Sequence, residues 1–472
     1  MKVLQGLEPK NVFEVFEAIS AIPHGSGNTE AIAKFCWEYG KSRGFESVID
    51  KGGNVIIKKP ATAGYENAQP VIIQGHFDMV TEKVAGCDID FTKDGLRLLV
   101  DGDWITADGT TLGGDDGIAV AMGLALLDDE TAEHPALEIL LTRDEETGMF
   151  GAIDLEGDKL QGRRLINIDS EIEGVFTVSC AGGVNVDCEL KTEKAPVTGE
   201  VISIVIDGLT GGHSGVEIHH GRANAYVLLG CVLKELKCRI VSIGGGGKHN
   251  AIARRAEAVV CVEGNWKQIL QDAEKAYKSR YRKTDPELKF TVTPANADYA
   301  MTQECSGKVL DILSQVPDGV QKMSEDIAGL VQTSVNRGVI EATADGFNAA
   351  FSIRSSVGEE RDALARRIID LVEEKGGKAE STNGYPAWEY CKDSPLRDLM
   401  VETFTELYGK KPEVVAIHAG LECGILAGKL PGLESVSIGP HMKDIHTPDE
   451  RMSISSVRRV WTFVKEVLKR MK

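Results

Sequence analysis

Six acidic and imidazole side chains stand at the end of a predicted strand or the start of a predicted helix. They are His76 and Asp78 in VIIQGHFDMV, Asp115 in TLGGDDGIAV, Glu145 and Glu146 in ILLTRDEETG, and Asp169 in LINIDSE. A seventh, His446 in KDIHTPDERM, follows far downstream. Neutral imidazole and carboxylate are donors that divalent cations accept. Hydrolysis by a metal-activated water needs, besides the ligands, one carboxylate left free as a base. The set holds a candidate for each of these roles.

On an extended backbone residues i and i+2 face the same side. His76 can therefore reach a cation while Asp78 accepts the second ring N–H; a structural His–Asp hydrogen bond is the competing explanation. Asp115 and Asp116 stand between Gly113-Gly114 and Gly117 at the predicted start of a helix. That position suits an N-cap as well as a ligand, and a carboxylate has two oxygens with which to bridge two cations. Glu145 and Glu146 follow the apolar ALEILLT, and neighbours at a strand end project in different directions. One can bind metal while the other faces the attacking water. Asp169 repeats the pattern after Leu-Ile-Asn-Ile.

Of the other histidines, His24, His134 and His249 have no evident partner and read as structural. His213 lies in GGHSG and His219-His220 in EIHHG. A neutral imidazole in such a glycine-flanked loop could donate to an oxyanion; for His220 a loop hydrogen bond is favoured. Arg354, in FSIRSS, could clamp a carboxylate bidentately or serve a surface ion pair. Asn250, in GGKHNAIAR, could donate to the same carboxylate or to the oxyanion.

The elements around these residues set their positions. The first third alternates strands and helices: a helix over 9–21, strands over 54–58 and 71–75, a helix over 115–127 with Ile118, Met122 and Leu126 on one stripe, then strands over 136–142, 165–169 and 175–180. This order predicts a largely parallel sheet covered on both faces, an α/β arrangement. The ligands then fall at the carboxyl ends of strands, where open α/β sheets bind their ligands. At 191–200 the texture becomes polar around Pro196 and Gly199, a hinge. A unit of strands with helices over 225–236, 266–280, 309–316 and 359–374 follows, and the loop 381–390 reads as its return. The last stretch resembles the first third. The expected layout is a discontinuous, mostly parallel-sheet catalytic domain (1–195 and 384–472) with an inserted α+β lid domain (196–383) able to close about a hinge.

Composition narrows the class. The 472 residues are 42% hydrophobic and 26% charged, with a formal net charge of -19. That charge disfavours nucleic acid and anionic membrane surfaces as partners. No apolar run approaches the roughly 18 residues of a membrane span, and the N-terminal segment lacks a signal peptide's apolar stretch. The ten cysteines are scattered without a C-x-x-C pair, most of them in apolar runs such as that around Cys231. This fits free thiols in a reducing cytoplasm, so any metal has to be held by imidazole and carboxylate.

The segments GHFDMV, TTLGGDDGIA, TRDEETGMFGA, NIDSE, GGHSGVEIHHGRANA, HAGLECGIL and HTPDERMSI occur in this order along the chain. Together they resemble the carboxypeptidase/aminoacylase-type dinuclear zinc peptidases, in particular the cytosolic Xaa-His dipeptidase branch. The resemblance implies two Zn2+ ions per chain, with Mn2+ or Co2+ as possible replacements. It implies that His76 and Asp169 bind one metal, that Asp115 bridges, and that Glu146 and His446 complete the second. Glu145 becomes the general base, Asp78 the group that orients His76, and His213 the imidazole that polarises the scissile carbonyl. Asn250 and Arg354 become substrate contacts, and Glu422, in HAGLECG, a partner for the substrate's amino group. A dipeptide substrate and a homodimer are also implied. An aminoacylase or tripeptidase on the same scaffold, or a catalytically silent peptide-binding protein, are the alternatives.

Overall fold

The computed structural model describes residues 2–472. By the density of its internal contacts the chain divides into two compact units. The first runs to Ser179 and resumes over Tyr390–Ala416 and Leu421–Lys472; the second is Cys180–Glu389 with Ile417–Gly420. The break after Ser179 comes earlier than the hinge expected at 191–200. The reason is that Gly182–Lys191 pairs antiparallel with Gly346–Ser355 and with Lys378–Tyr385, both in the second unit.

The first unit is built on an eight-stranded sheet in the order Glu46–Ile49, Val55–Lys59, Leu137–Thr142, Val71–His76, Arg164–Asn167, Glu434–Ser437, Val175–Cys180, Glu413–Ile417. Its centre is parallel, from Leu137–Thr142 through Glu434–Ser437, and Glu46–Ile49 and Val55–Lys59 join antiparallel. The central strands are continuous buried runs such as Val71–Ile73 and Ile139–Leu141, as strands covered on both faces must be. The helix Gly114–Asp128 departs from the expected single apolar stripe. Every residue from Gly114 to Leu127 is buried, so beyond Asp115 and Asp116 it is a core helix that is apolar all round. Ile454–Arg470 is amphipathic and buries Val457, Val460, Trp461, Val464 and Leu468 at helical spacing. A small four-stranded sheet, Met442–Lys443, Arg451–Ser453, Trp104–Ala107 and Leu98–Asp101, adds strands that the sequence pattern does not reveal.

The second unit holds a nine-stranded sheet with its own core. The helices Ala225–Leu236, Trp266–Arg280, Gln303–Gln315 and Gly358–Glu374 all contribute to that core. The segment expected as a loop over 381–390 begins as a strand, Lys378–Tyr385, at the sheet edge. No disulfide is formed among the described residues; Cys231, expected in an apolar setting, is exposed on its helix. Among the described residues no helix is long and apolar enough to cross a membrane.

Candidate active site

Strand register brings the first ligands together. His76 pairs with Thr142, and Gln74 with Asn167. Two residues beyond Asn167, Asp169 is therefore level with His76, and the turn carrying Glu145 and Glu146 starts just past Thr142. Beneath them runs a buried polar ladder. Asn167 Nδ2 donates to Gln74 Oε1 at 2.6 Å, and Gln74 Nε2 and Thr142 Oγ1 each donate to Glu422 Oε2 at 2.7 Å. Glu422 is 1% exposed and its Oε1 has no hydrogen-bond partner.

Asp115 stands between two imidazoles. Its Oδ1 is 3.3 Å from His76 Nε2, and its Oδ2 is 3.1 Å from His446 Nε2. Asp169 Oδ1 lies 3.7 Å from His76 Nε2, and Glu146 Oε1 lies 2.9 Å from His446 Nε2. Three sets of donor atoms converge within 4.8 Å of one another: His76 with Asp116 and Asp169, His76 with Glu145 and Glu146, and Asp115 with Glu146 and His446. All seven residues singled out at the start are thus in one neighbourhood of the first unit, and His446 joins them from its far end.

Asp78 differs in detail from expectation. The strand ends at His76, and beyond it the backbone turns. His76 Nδ1 meets the main-chain carbonyl of Asp78 at 2.9 Å, closer than its carboxylate at 3.4 Å. The carboxylate also accepts the N–H groups of Glu145 (2.9 Å) and Glu146 (3.3 Å) and the hydroxyl of Ser26 (2.8 Å). Asp78 therefore fixes the ring through its backbone and the Glu145–Glu146 turn through its side chain. Asp116 is fully buried. Its Oδ2 accepts the N–H of His76 at 3.3 Å and its Oδ1 has no partner. A Cβ at Gly75 would lie 2.3 Å from that Oδ2, so only glycine admits this approach.

The charges of this cluster call for cations. His446 is drawn up to about 10 by hydrogen bonds to Asp115 and Glu146. Burial opposes protonation of His76, yet its contacts with Asp115, Asp169 and Asp78 raise it well above an ordinary imidazole. Burial, together with the carboxylates of Asp115 and Glu422, pushes Asp169 up to about 7 against the pull of His76. Burial and the repulsion of Asp169, Glu422 and Glu146 raise Glu145 well above the usual carboxylate range. Two imidazoles forced toward the cationic form, amid buried carboxylates, mark a place that wants positive charge. An imidazole and carboxylate donor set of this kind fits divalent metal ions.

In the second unit, His213 Nδ1 accepts the N–H groups of Gly215 and Val216, each at 3.2 Å. Its proton is therefore on Nε2. Burial, then the charge of Arg354, lowers its pKa, so it is a neutral donor. Asn250 is exposed, and its carbonyl accepts the N–H of Ser214 at 2.9 Å. Arg354 Nη1 donates to the Tyr385 hydroxyl at 2.8 Å. His418 Nε2 is 2.7 Å from Ser334 Oγ, and burial, then Arg354, pushes it down to about 3. His418 and Tyr385 escape sequence reasoning, although both lie in segments that it considers. So does Glu450, four residues after His446, whose carboxylate meets the turn before Asp115.

Comparison with known proteins agrees with this geometry. Residues 72–470 match the model of peptidase family M20/M25/M40. The chain is 38% identical to the cytosol non-specific dipeptidase of Escherichia coli (strain K12), over 99% of each protein. It superposes on the crystal structure of aminoacylhistidine dipeptidase from Vibrio alginolyticus with a TM-score of 0.93 at 34% identity, covering 99% of this chain and 97% of that one. An aminopeptidase from Bacillus cereus, PepT, shares the fold at 16% identity and a TM-score of 0.63, over 98% and 99% of the two chains. With ligand candidates at the ends of parallel strands and likeness along nearly its whole length, the chain belongs to peptidase family M20/M25/M40, a family of metal-dependent peptidases.

Proposed function

We propose that the protein is a dipeptidase that hydrolyses a broad range of dipeptides, Xaa-His and beta-alanyl-His types among them, with two Zn2+ ions. The observation that carries this is Asp115, whose two carboxylate oxygens are shared between His76 and His446. His76, Asp169 and Asp115 would hold one metal, and Asp115, Glu146 and His446 the other. Bound there, such a pair lowers the pKa of water and polarises a carbonyl.

The chain's own residues do the rest. Glu145 takes the proton of the attacking water and returns it to the leaving amine, a task suited to a carboxyl raised by burial and by its acidic neighbours. Asp78 keeps His76 in one tautomer through its carbonyl and holds Glu145 and Glu146 through its carboxylate. The Nε2–H of His213 donates to the oxyanion that forms on the scissile carbonyl. Arg354, steadied by Tyr385, binds the substrate's carboxylate, and Asn250 adds a donor. The unpartnered Oε1 of Glu422 meets the substrate's ammonium group.

Mn2+ or Co2+ can occupy an imidazole and carboxylate site of this kind. A cytoplasmic setting is supported by the scattered, unbridged cysteines and by the name of the Escherichia coli relative. The proposed assembly is a homodimer, each chain carrying an inserted lid expected over residues 196–383. A panel of dipeptides, tripeptides and N-acetyl amino acids, assayed with the zinc-loaded enzyme and after chelation, tests the substrate class. Dipeptides should be cleaved fastest and only with metal. Preference for tripeptides or N-acetyl amino acids would reassign the substrate, and turnover in chelator would rule out the mechanism.

A further inference from the structure

Glu450 is 2% exposed, and its carboxylate lies over the first turn of the helix that carries Asp115. Oε2 accepts the N–H of Leu112 at 2.8 Å and of Gly113 at 3.2 Å; Oε1 accepts that of Gly114 at 2.9 Å and of Asp115 at 3.4 Å. A helix start leaves N–H groups of this kind without intrahelical partners. A Cβ at Gly114 would lie 3.3 Å from Glu450 Oε1 and 3.2 Å from Met442 Sδ, so the seat of the carboxylate is shaped by a missing side chain.

Glu450 belongs to an arch that also carries His446. The arch is closed at its base by the pairs Met442 with Met452 and Lys443 with Arg451, and by an Arg451–Asp444 ion pair of 3.0 Å. Inside it, Thr447 Oγ1 donates to the Asp444 carbonyl at 2.6 Å, and the Glu450 N–H to the Thr447 carbonyl at 3.1 Å. Arg451–Ser453 pairs in turn with Trp104–Ala107, and Thr106 Oγ1 donates to the Glu450 carbonyl at 2.9 Å. The spacing of His446 and Glu450 is therefore fixed. One end of the arch touches the Asp115 carboxylate and the other holds the Asp115 main chain.

We propose that Glu450 is a positioning residue for metal capture: it sets the Asp115 turn so that Asp115, Glu146 and His446 converge on one cation. This rests on the two-metal reading above. A plain helix cap would act on folding alone, whereas a positioning residue acts on metal affinity, and most on the metal that needs both Asp115 and His446. The test is calorimetric titration of the metal-stripped full-length protein with Mn2+, comparing wild type, Glu450→Gln, His446→Ala and the double variant, with circular dichroism as the check on folding. The binding event lost in His446→Ala should weaken by about tenfold or more in Glu450→Gln, and the other, which shares Asp115 but keeps His76 and Asp169, should weaken by less. The double variant should bind the remaining metal about as Glu450→Gln does. Should Glu450→Gln not fold, Glu450→Asp, which keeps the charge but reaches less far, is judged by the same criterion. Wild-type affinity at both sites, or equal loss at both, overturns the assignment of Glu450 alone. If His446→Ala leaves both events intact, the two-metal reading fails and this assignment with it.

Discussion

At the scale of single residues, the cluster separates two neighbouring glutamates by what they face. Glu146 lies 2.9 Å from His446 Nε2. No hydrogen bond to either imidazole ties down the Glu145 carboxylate, which is raised by burial and by surrounding acids. Glu145→Gln keeps the shape of the side chain and removes its capacity to carry a proton. It should retain two metal ions per chain by elemental analysis while dipeptide turnover falls by about 10²-fold or more. Turnover near that of the wild type would take the proton-carrying role from Glu145.

Much of this constellation is legible in the sequence because His76, Asp169 and the Glu145–Glu146 pair come just after buried apolar runs, and strand periodicity places them. His76, Asp169 and the Glu145–Glu146 turn need only neighbouring strands in register. Glu450 is illegible for the opposite reason. Its partners are 335 to 338 residues away, and an acidic residue in a polar loop carries no local mark of what it will cap. Asp78 is half legible: its residue type and place suggest a partner for His76, but not that the bend after the strand brings its carbonyl nearer the ring than its carboxylate.

At the scale of elements, the helix Ile454–Arg470 holds the arch of His446 from behind. Ser453 caps it by accepting the Ser456 N–H at 3.2 Å. Arg459 and Ser456 reach Glu173, in the turn that follows Asp169, through contacts of 2.6 to 2.7 Å. Burial alone would raise the Glu173 carboxyl, but Arg459 and Ser456 outweigh it and hold the group below its ordinary value of 4.5. A carboxyl depressed in the folded state adds stability above its unfolded pKa and loses it as pH falls through the folded one. Arg459→Met should therefore lower the urea midpoint at pH 7. Arg459 is 41% exposed, so the expected loss is about 1 kcal/mol. The difference from wild type should fade below about pH 4. An equal difference at pH 3 and pH 7 would show that packing, and not the ion pair, supports the helix. The strand Lys378–Tyr385 teaches the complementary lesson. As an edge strand of polar, largely exposed residues, it lacks the apolar alternation by which a half-buried strand is recognised.

At the scale of the whole molecule, two units with separate cores share one chain. Five carboxylates, Asp115, Asp116, Glu145, Glu146 and Asp169, gather around His76 and His446. Metal removal should destabilise the first unit in particular. A ligand present at about 100 times its dissociation constant adds about 2.7 kcal/mol to the state that binds it. Chelation should therefore lower the melting temperature by a few degrees, and adding Zn2+ back should restore it. A melting curve indifferent to chelator and to Zn2+ would mean that the folded protein does not bind metal with useful affinity.

The interruption of the first unit has a consequence for biosynthesis. Cys180–Glu389 is translated between Asp169 and His446. A ribosome therefore exposes the crowded acids of the early strands long before it has made the imidazole that completes their partnership. On the proposed two-metal reading, the nascent protein can offer one cation a partial seat during that interval, but the seat shared by two must wait until the insertion has been synthesised.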